Sequence, residues 1–286
     1  MRTRAITALV FVAVMLAGIF ISPYSLAALF LAVISIALWE FHTLLLPDDA
    51  HKHVRRGVYT AYGVGCYIGM LVVTALPYDT HLFASVASVI LLVLTALFIG
   101  ELFGKAEKPF ENVAKGVLGL FYIALPVSYF VGAFALIVRG DVLMHDAGLV
   151  FGIIALIWVN DTCALLAGRQ FGRNKLFVRI SPGKTWEGLA GGIIGTLLIA
   201  VLVPYVLPNT GLYRQHPLGC YDWLALGLIV CLFGTLGDLV ESMLKRSVGA
   251  KDSGNLLPGH GGVLDRFDSF IFVLPFVIAY LLWVAA

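Results

Sequence analysis

The sequence predicts an all-α fold, a polytopic integral membrane bundle of about nine transmembrane helices in a single membrane domain. Three observations carry this. Hydrophobic residues make up 60% of the 286 positions and charged residues 13%, too few for the charged exterior of a soluble domain. Mean hydropathy is +0.95. The apolar residues also come in runs of about twenty, the length that crosses the hydrocarbon core. Formal net charge is +2, too small to argue for a nucleic-acid partner, so the positions of the charges matter more than their sum.

In chain order the expected spans are 5–21, 25–46, 58–76, 81–102, 113–138, 147–168, 187–207, 222–241 and 263–285. The first follows Arg2 and Arg4, as in a signal peptide. A second apolar run begins at once, with no polar mature start between them, so the first is read as a retained helix. Only Ser22-Pro23-Tyr24 joins these two, which predicts a tight hairpin. Pro126 and Pro275 lie inside spans and predict kinks. No internal repeat or low-complexity linker is evident. Residues 1–140 supply helices with little motif content, whereas about 147–286 carry the polar motifs and the expected catalytic site. Cys66, Cys163, Cys220 and Cys231 form no CxxC pair and read as small packing residues, with neither a disulfide nor zinc expected.

Lysine and arginine set the orientation. With nine spans and a cytoplasmic N-terminus, 17 of the 19 basic residues fall on the cytoplasmic side, leaving only Arg139 and Arg214 opposite. Adding or removing one span would scramble this asymmetry. The C-terminus is then expected on the periplasmic or lumenal side.

The segment Ser242–Asp268 is the most polar in the chain, and it lies between long apolar runs. Charge beside lipid is costly and marks function by default. Late in span eight, Asp238, Glu241, Ser242 and Lys245 share one helical face. Arg246 and Lys251 follow. Asp265 and Asp268 stand in the first turn of span nine with Arg266 between them, three residues apart and so on one side. Acidic residues in a first turn also serve as ordinary caps. Gly261-Gly262 allows close backbone approach and unusual dihedrals, and His260 precedes them, placed to meet phosphate or to hold an Asp ligand. In span six, Asp161 is a carboxylate inside an apolar helix, which asks for a partner.

Carboxylates and cations together at a membrane surface suit Mg²⁺ and a polyphosphate. Magnesium takes one or two carboxylates, several waters and substrate phosphate oxygens. Asp238, Asp265 and Asp268 are therefore the candidate metal ligands, with Lys245 and Arg246 beside them in the expected catalytic group. Lysine and arginine suit the remaining phosphate oxygens. Loop 169–187 adds R-Q-F-G-R-N-K and then S-P-G-K-T-W-E-G at 181–188, a stretch that also suits a basic juxtamembrane loop on anionic lipid. It lacks the spacing of a P-loop.

The pattern S-x-x-K-R-x(4)-K-D-x(5)-P-x-H-G-G-x-x-D-R-x-D, from Ser242 to Asp268, resembles the signature of CDP-diacylglycerol synthases (phosphatidate cytidylyltransferases). The segment at 181–188 is similar to that family as well, as are Asp161-Thr162, Gly168-Arg169 and Phe171-Gly172. The resemblance covers roughly 160–268. Cys163, Leu165 and Leu166 depart from it, standing where the family often has glycine and aromatics. The resemblance implies CTP and phosphatidic acid as substrates, within the lipid bilayer, with CDP-diacylglycerol and pyrophosphate as products. It implies Mg²⁺, and a two-metal centre in which a second cation such as K⁺ takes part. Residues assigned to substrate are Lys184, Ser181, Ser242, Lys251, His260, Gly261, Gly262, Arg266 and Asp161. It further implies a bacterial inner-membrane protein with a cytoplasmic active site. A homodimer is compatible with it, although no residue argues for one. The competing readings are a CTP-dependent lipid kinase, which would release CDP, and a secondary transporter using Asp161 and Asp238 as ion sites.

Overall fold

The computed structural model describes residues 2–47, 51–75, 80–104, 106–139, 142–207, 218–257, 259 and 261–285. Lys105, Arg214 and His260 lie outside them. Among the described residues there are nine helices: α1 (Arg2–Phe20), α2 (Pro23–Leu45), α3 (Lys52–Ala75), α4 (Thr80–Phe103), α5 (Pro109–Ala135), α6 (Ala147–Phe171), α7 (Trp186–Val206), α8 (Cys220–Ser247) and α9 (Leu264–Ala285). Eight are long and apolar enough to cross a membrane, which makes the protein a polytopic all-α membrane protein. Of the nine expected spans, the first falls short of the rest. The apolar stretch of α1, Ile6–Phe20, is shorter, because the helix opens on Arg2-Thr3-Arg4.

The hairpin expected at Ser22-Pro23-Tyr24 has a local cause. Ser22 Oγ accepts from Ser25 N at 3.0 Å, and Ser25 Oγ accepts from Ser22 N at 2.9 Å. This reciprocal cap, with Pro23 at the first helical position, starts α2 directly after α1. In α5 the backbone widens into π turns at Leu120–Ala124 and Val131–Ala135. The first ends just before Pro126, whose missing N–H and bulky ring disrupt an ordinary α-turn at that point. α9 runs through Pro275 unbroken.

α3 and α8 extend furthest beyond their expected ends. α3 begins at Lys52 because its basic first turns are helical, and Arg55 there is buried in an ion pair. Glu101 Oε1 on α4 accepts from Arg55 Nε at 2.8 Å and from Tyr59 OH at 3.2 Å, while Glu101 Oε2 accepts from Asn112 Nδ2 at 3.1 Å. One carboxylate thus ties α3, α4 and α5. α8 continues to Ser247, so Lys245 and Arg246 are helical.

Two antiparallel hairpins have no counterpart in the sequence reading. β1 (Leu136–Arg139) pairs with β2 (Val142–His145), and β3 (Lys175–Phe177) pairs with β4 (Ser181–Thr185) through an irregular register. The second occupies what reads in the sequence as a basic loop.

The chain divides into two compact units. The first comprises Met1–His145 and Asp252–Asp265, and the second Asp146–Lys251 and Arg266–Ala286. In the second, α6 and α7 pack through a stripe of small residues. A Cβ at Gly191 would lie 2.2 Å from the Ala167 Cβ, one at Gly195 2.4 Å from Cys163 Sγ, and one at Gly188 2.8 Å from the Ala164 carbonyl. Only glycine permits this approach, the usual device where helices meet without a hydrophobic driving force. Cys163, one of the departures noted above, therefore fills a packing position opposite Gly195. All four cysteines are free thiols, with Cys66 and Cys231 buried.

Candidate active site

In the second unit, α8 and α9 touch at a glycine. A Cβ on Gly237 would lie 2.7 Å from the Phe272 Cβ and 3.1 Å from the Asp268 carbonyl. Ser269 Oγ donates to the Gly234 carbonyl at 3.1 Å, and the rings of Phe233 and Phe276 stack with centroids 3.4 Å apart. This close seam sets Asp238, the residue after Gly237, beside buried Asp268. Asp161 of α6 joins them. The carboxylates of Asp161, Asp238 and Asp268 lie within range of one another's charge, as do Lys184 and Arg266 with respect to Asp161.

Lys184 reaches this group from β4. Its Nζ is 2.7 Å from Asp238 Oδ2 and donates to the Thr235 carbonyl at 3.3 Å. Both side chains of the pair are partly accessible. Ser242 Oγ donates to Asp238 Oδ1 at 3.2 Å. The hairpin that carries Lys184 is anchored by Glu187, whose carboxylate accepts from Arg173 N, Asn174 N and Asn174 Nδ2 at 2.7–3.2 Å. Thr185 Oγ1 caps α7 by accepting from Gly188 N at 3.1 Å. Gly172 is required at the end of α6, since a Cβ there would lie 2.2 Å from the Gly168 carbonyl.

Lys245 is buried in an ion pair with Glu241, one turn earlier on α8, and its charge also acts on Asp268. A fully buried carboxylate needs such a partner. Arg246 is exposed, and its Nη1 donates to the Ala250 carbonyl at 3.0 Å, closing the turn after α8. Ser181 opens β4, and Lys251 is exposed.

Asp265 belongs to the first unit, where it organises a loop. Its Oδ2 accepts from Gly262 N at 2.8 Å and from Ser253 N at 2.9 Å, and its Oδ1 also faces Ser253 N at 3.1 Å. Gly261 has φ +83°, and a Cβ there would lie 2.5 Å from Asp265 Oδ2, so both the dihedral and the approach exclude other residues. The same loop meets Glu40 of α2. Glu40 Oε1 accepts from Val263 N at 3.1 Å, and Glu40 Oε2 accepts from Leu264 N at 2.8 Å and from Ser253 Oγ at 3.2 Å.

Sequence reasoning misses Glu40 and Glu187, and it sees in Glu241 only a member of a helical face. Glu187 stands in plain view inside S-P-G-K-T-W-E-G. The signal for Glu40 is a lone carboxylate within the apolar run 25–46.

Among the described residues, no group of three or more His, Cys, Asp or Glu side chains is arranged to enclose a metal ion. Magnesium asks for less, since waters and substrate phosphate oxygens complete its shell. Neighbouring carboxylates of like charge, as at Asp161, Asp238 and Asp268, suit a divalent cation. Asp265 fits less readily, because both of its oxygens face backbone N–H groups.

The cytidylyltransferase family model matches residues 2–284. Relatives include a phosphatidate cytidylyltransferase of Bacillus subtilis (strain 168), 42% identical over 170 residues, covering 59% of this chain and 58% of that protein. Another from Staphylococcus haemolyticus (strain JCSC1435) is 39% identical over 166 residues, covering 58% of each. A third, from Staphylococcus aureus (strain COL), is 48% identical over 120 residues, covering 42% of this chain and 44% of that protein. The chain thus spans about half the length of the curated relatives it matches.

Proposed function

This chain belongs to the cytidylyltransferase family, and from that premise we propose that it converts CTP and phosphatidic acid to CDP-diacylglycerol and pyrophosphate. A phosphate oxygen of the lipid attacks the α-phosphorus of CTP. The bond from that phosphorus to the oxygen bridging it to the β-phosphate breaks, and pyrophosphate leaves with the bonding pair. The observation that carries this reading is the Lys184–Asp238 pair, 2.7 Å apart, set beside the carboxylates of Asp161 and Asp268 in an otherwise apolar bundle. A site that mixes both signs of charge suits an anionic polyphosphate and its counter-ion.

The transfer needs no protein nucleophile, since phosphoryl-type displacements rest on positioning and electrostatics. Lys184 and Arg266 are the cations that would meet phosphate oxygens, and Ser242 orients Asp238 by its hydrogen bond. Asp238 and Asp268 would hold Mg²⁺, with the charge of Asp161 beside them, and the ion would neutralise charge between the phosphates and align the in-line displacement. A second cation such as K⁺ belongs to the same proposal, as do a cytoplasmic site and N-terminus and a bacterial inner-membrane location. The distribution of lysine and arginine supports that orientation.

The test is reconstitution in bilayers containing phosphatidic acid, with CTP labelled at the α- or γ-phosphate. The reading expects α-label in the lipid and γ-label in pyrophosphate. Transfer of γ-label to lipid with release of CDP would identify a lipid kinase instead. Solute uptake by sealed vesicles without any need for CTP would identify a transporter.

A further inference from the structure

The first unit holds a buried carboxylate that the reaction above does not use. Glu40 is 6% exposed and stands within the apolar helix α2. An ionised carboxylate at such a place is costly unless several donors surround it. Its donors come from residues more than two hundred positions away. Val263 N and Leu264 N lie at the start of α9, where a helix leaves its amides without partners of its own and its dipole favours a negative charge. Ser253 Oγ is the third donor.

The chain is shaped around this contact. A Cβ at Gly254 would lie 2.5 Å from Glu40 Oε1, and one at Gly262 would lie 2.5 Å from Glu40 Oε2 and 2.2 Å from Ser253 Oγ. Two carboxylates therefore pinch the neck of the loop from Ser253 to Gly262. Glu40 takes the Ser253 hydroxyl and the amides following Gly262, and Asp265 takes the Ser253 and Gly262 amides. The loop so closed lies within the polar signature Ser242–Asp268, and its far side leads directly into the turn of α9 that bears Arg266 and Asp268.

We propose that Glu40 is a positioning residue for the reaction, fixing the neck of this loop and the first turn of α9 in the geometry that turnover requires. The proposal rests on the cytidylyl-transfer reading. Glu40 touches neither substrate nor reacting atoms; it acts through the backbone of Val263 and Leu264.

Glutamine at 40 keeps the shape but turns an amide donor toward a donor, so at least one backbone bond is lost. In Glu40→Gln, kcat per folded enzyme should fall about 10²-fold, the scale of an ångström-sized misplacement. Amide exchange at Val263 and Leu264 should speed up about tenfold, and Ser253→Ala added to Glu40→Gln should cost less than the product of the two single losses, because they share a bond. Glu101→Gln removes another buried carboxylate of the same unit and serves as control: it should lower stability while leaving kcat per folded enzyme unchanged. Wild-type kcat, KM and exchange in Glu40→Gln would overturn the proposal. So would a loss matched by Glu101→Gln, or one that disappears when activity is normalised to folded protein. If the wild-type protein makes no CDP-diacylglycerol, the functional reading fails by itself, and the positioning role falls with it, while the exchange data still decide whether Glu40 holds the loop.

Discussion

The seam between α8 and α9 allows packing and catalysis to be separated with one methyl group. In Gly237→Ala the new Cβ would sit 2.7 Å from the Phe272 Cβ, 3.1 Å from the Asp268 carbonyl and 3.2 Å from the Ser269 Cα. Carbon atoms in contact prefer about 3.5–4.0 Å, so the helices must part by about 1 Å at the level of Asp238 and Asp268. Overpacking of this kind costs about 1–3 kcal/mol. Alanine in place of a helical glycine returns about 1 kcal/mol. The net destabilisation is then about 0–2 kcal/mol, too small to unfold the protein. Turnover is far more sensitive, since about 1 Å of misplacement costs about 10²-fold. The assay is CTP-dependent formation of CDP-diacylglycerol in bilayers, with thermal unfolding measured on the same preparation. The expected result is a kcat about 10²-fold lower with nearly unchanged unfolding. Gly65→Ala is the control, because a Cβ there meets nothing within 4 Å. Wild-type turnover in Gly237→Ala would refute the claim that the closeness of this seam sets the active geometry.

Three further outcomes are expected. Lys184→Met and Asp238→Asn should each lower kcat/KM for CTP about 10²-fold, with the double variant well short of about 10⁴-fold because the two groups act as one pair; fully multiplicative losses would separate them. Glu101→Gln removes the charge of one member of the buried Arg55–Glu101 pair, so it should cost about 3–5 kcal/mol of stability, read by thermal unfolding in detergent. Removal of divalent cations with a chelator should abolish turnover and Mg²⁺ should restore it, whereas activity that persists after chelation would exclude Mg²⁺ from the proposed chemistry.

The contrast between Asp265 and Asp268 shows where reading the sequence stops. Their spacing puts them on one side of α9 and makes them look equivalent. Folding gives them different surroundings. Asp268 is buried near the charges of Asp161, Asp238 and Lys245, and Lys184 reaches the same group through Asp238. Asp265 instead accepts the amides of Ser253 and Gly262.

By itself the sequence determined that this is a helical membrane protein, roughly where its helices lie, and which stretches carry polar chemistry. Those properties follow from local composition: apolar run length against bilayer thickness, and the cost of charge beside lipid. It also marked Lys184, Asp238 and Asp268, because each stands in a short pattern dense in charge. Only the tertiary structure decided that Lys184 pairs with Asp238, that Gly237 rather than any polar residue sets the α8–α9 distance, and that Glu40 holds the start of α9. Each of these depends on which helix faces meet, and a hydrogen bond across more than two hundred residues leaves no periodicity or spacing along the chain to read.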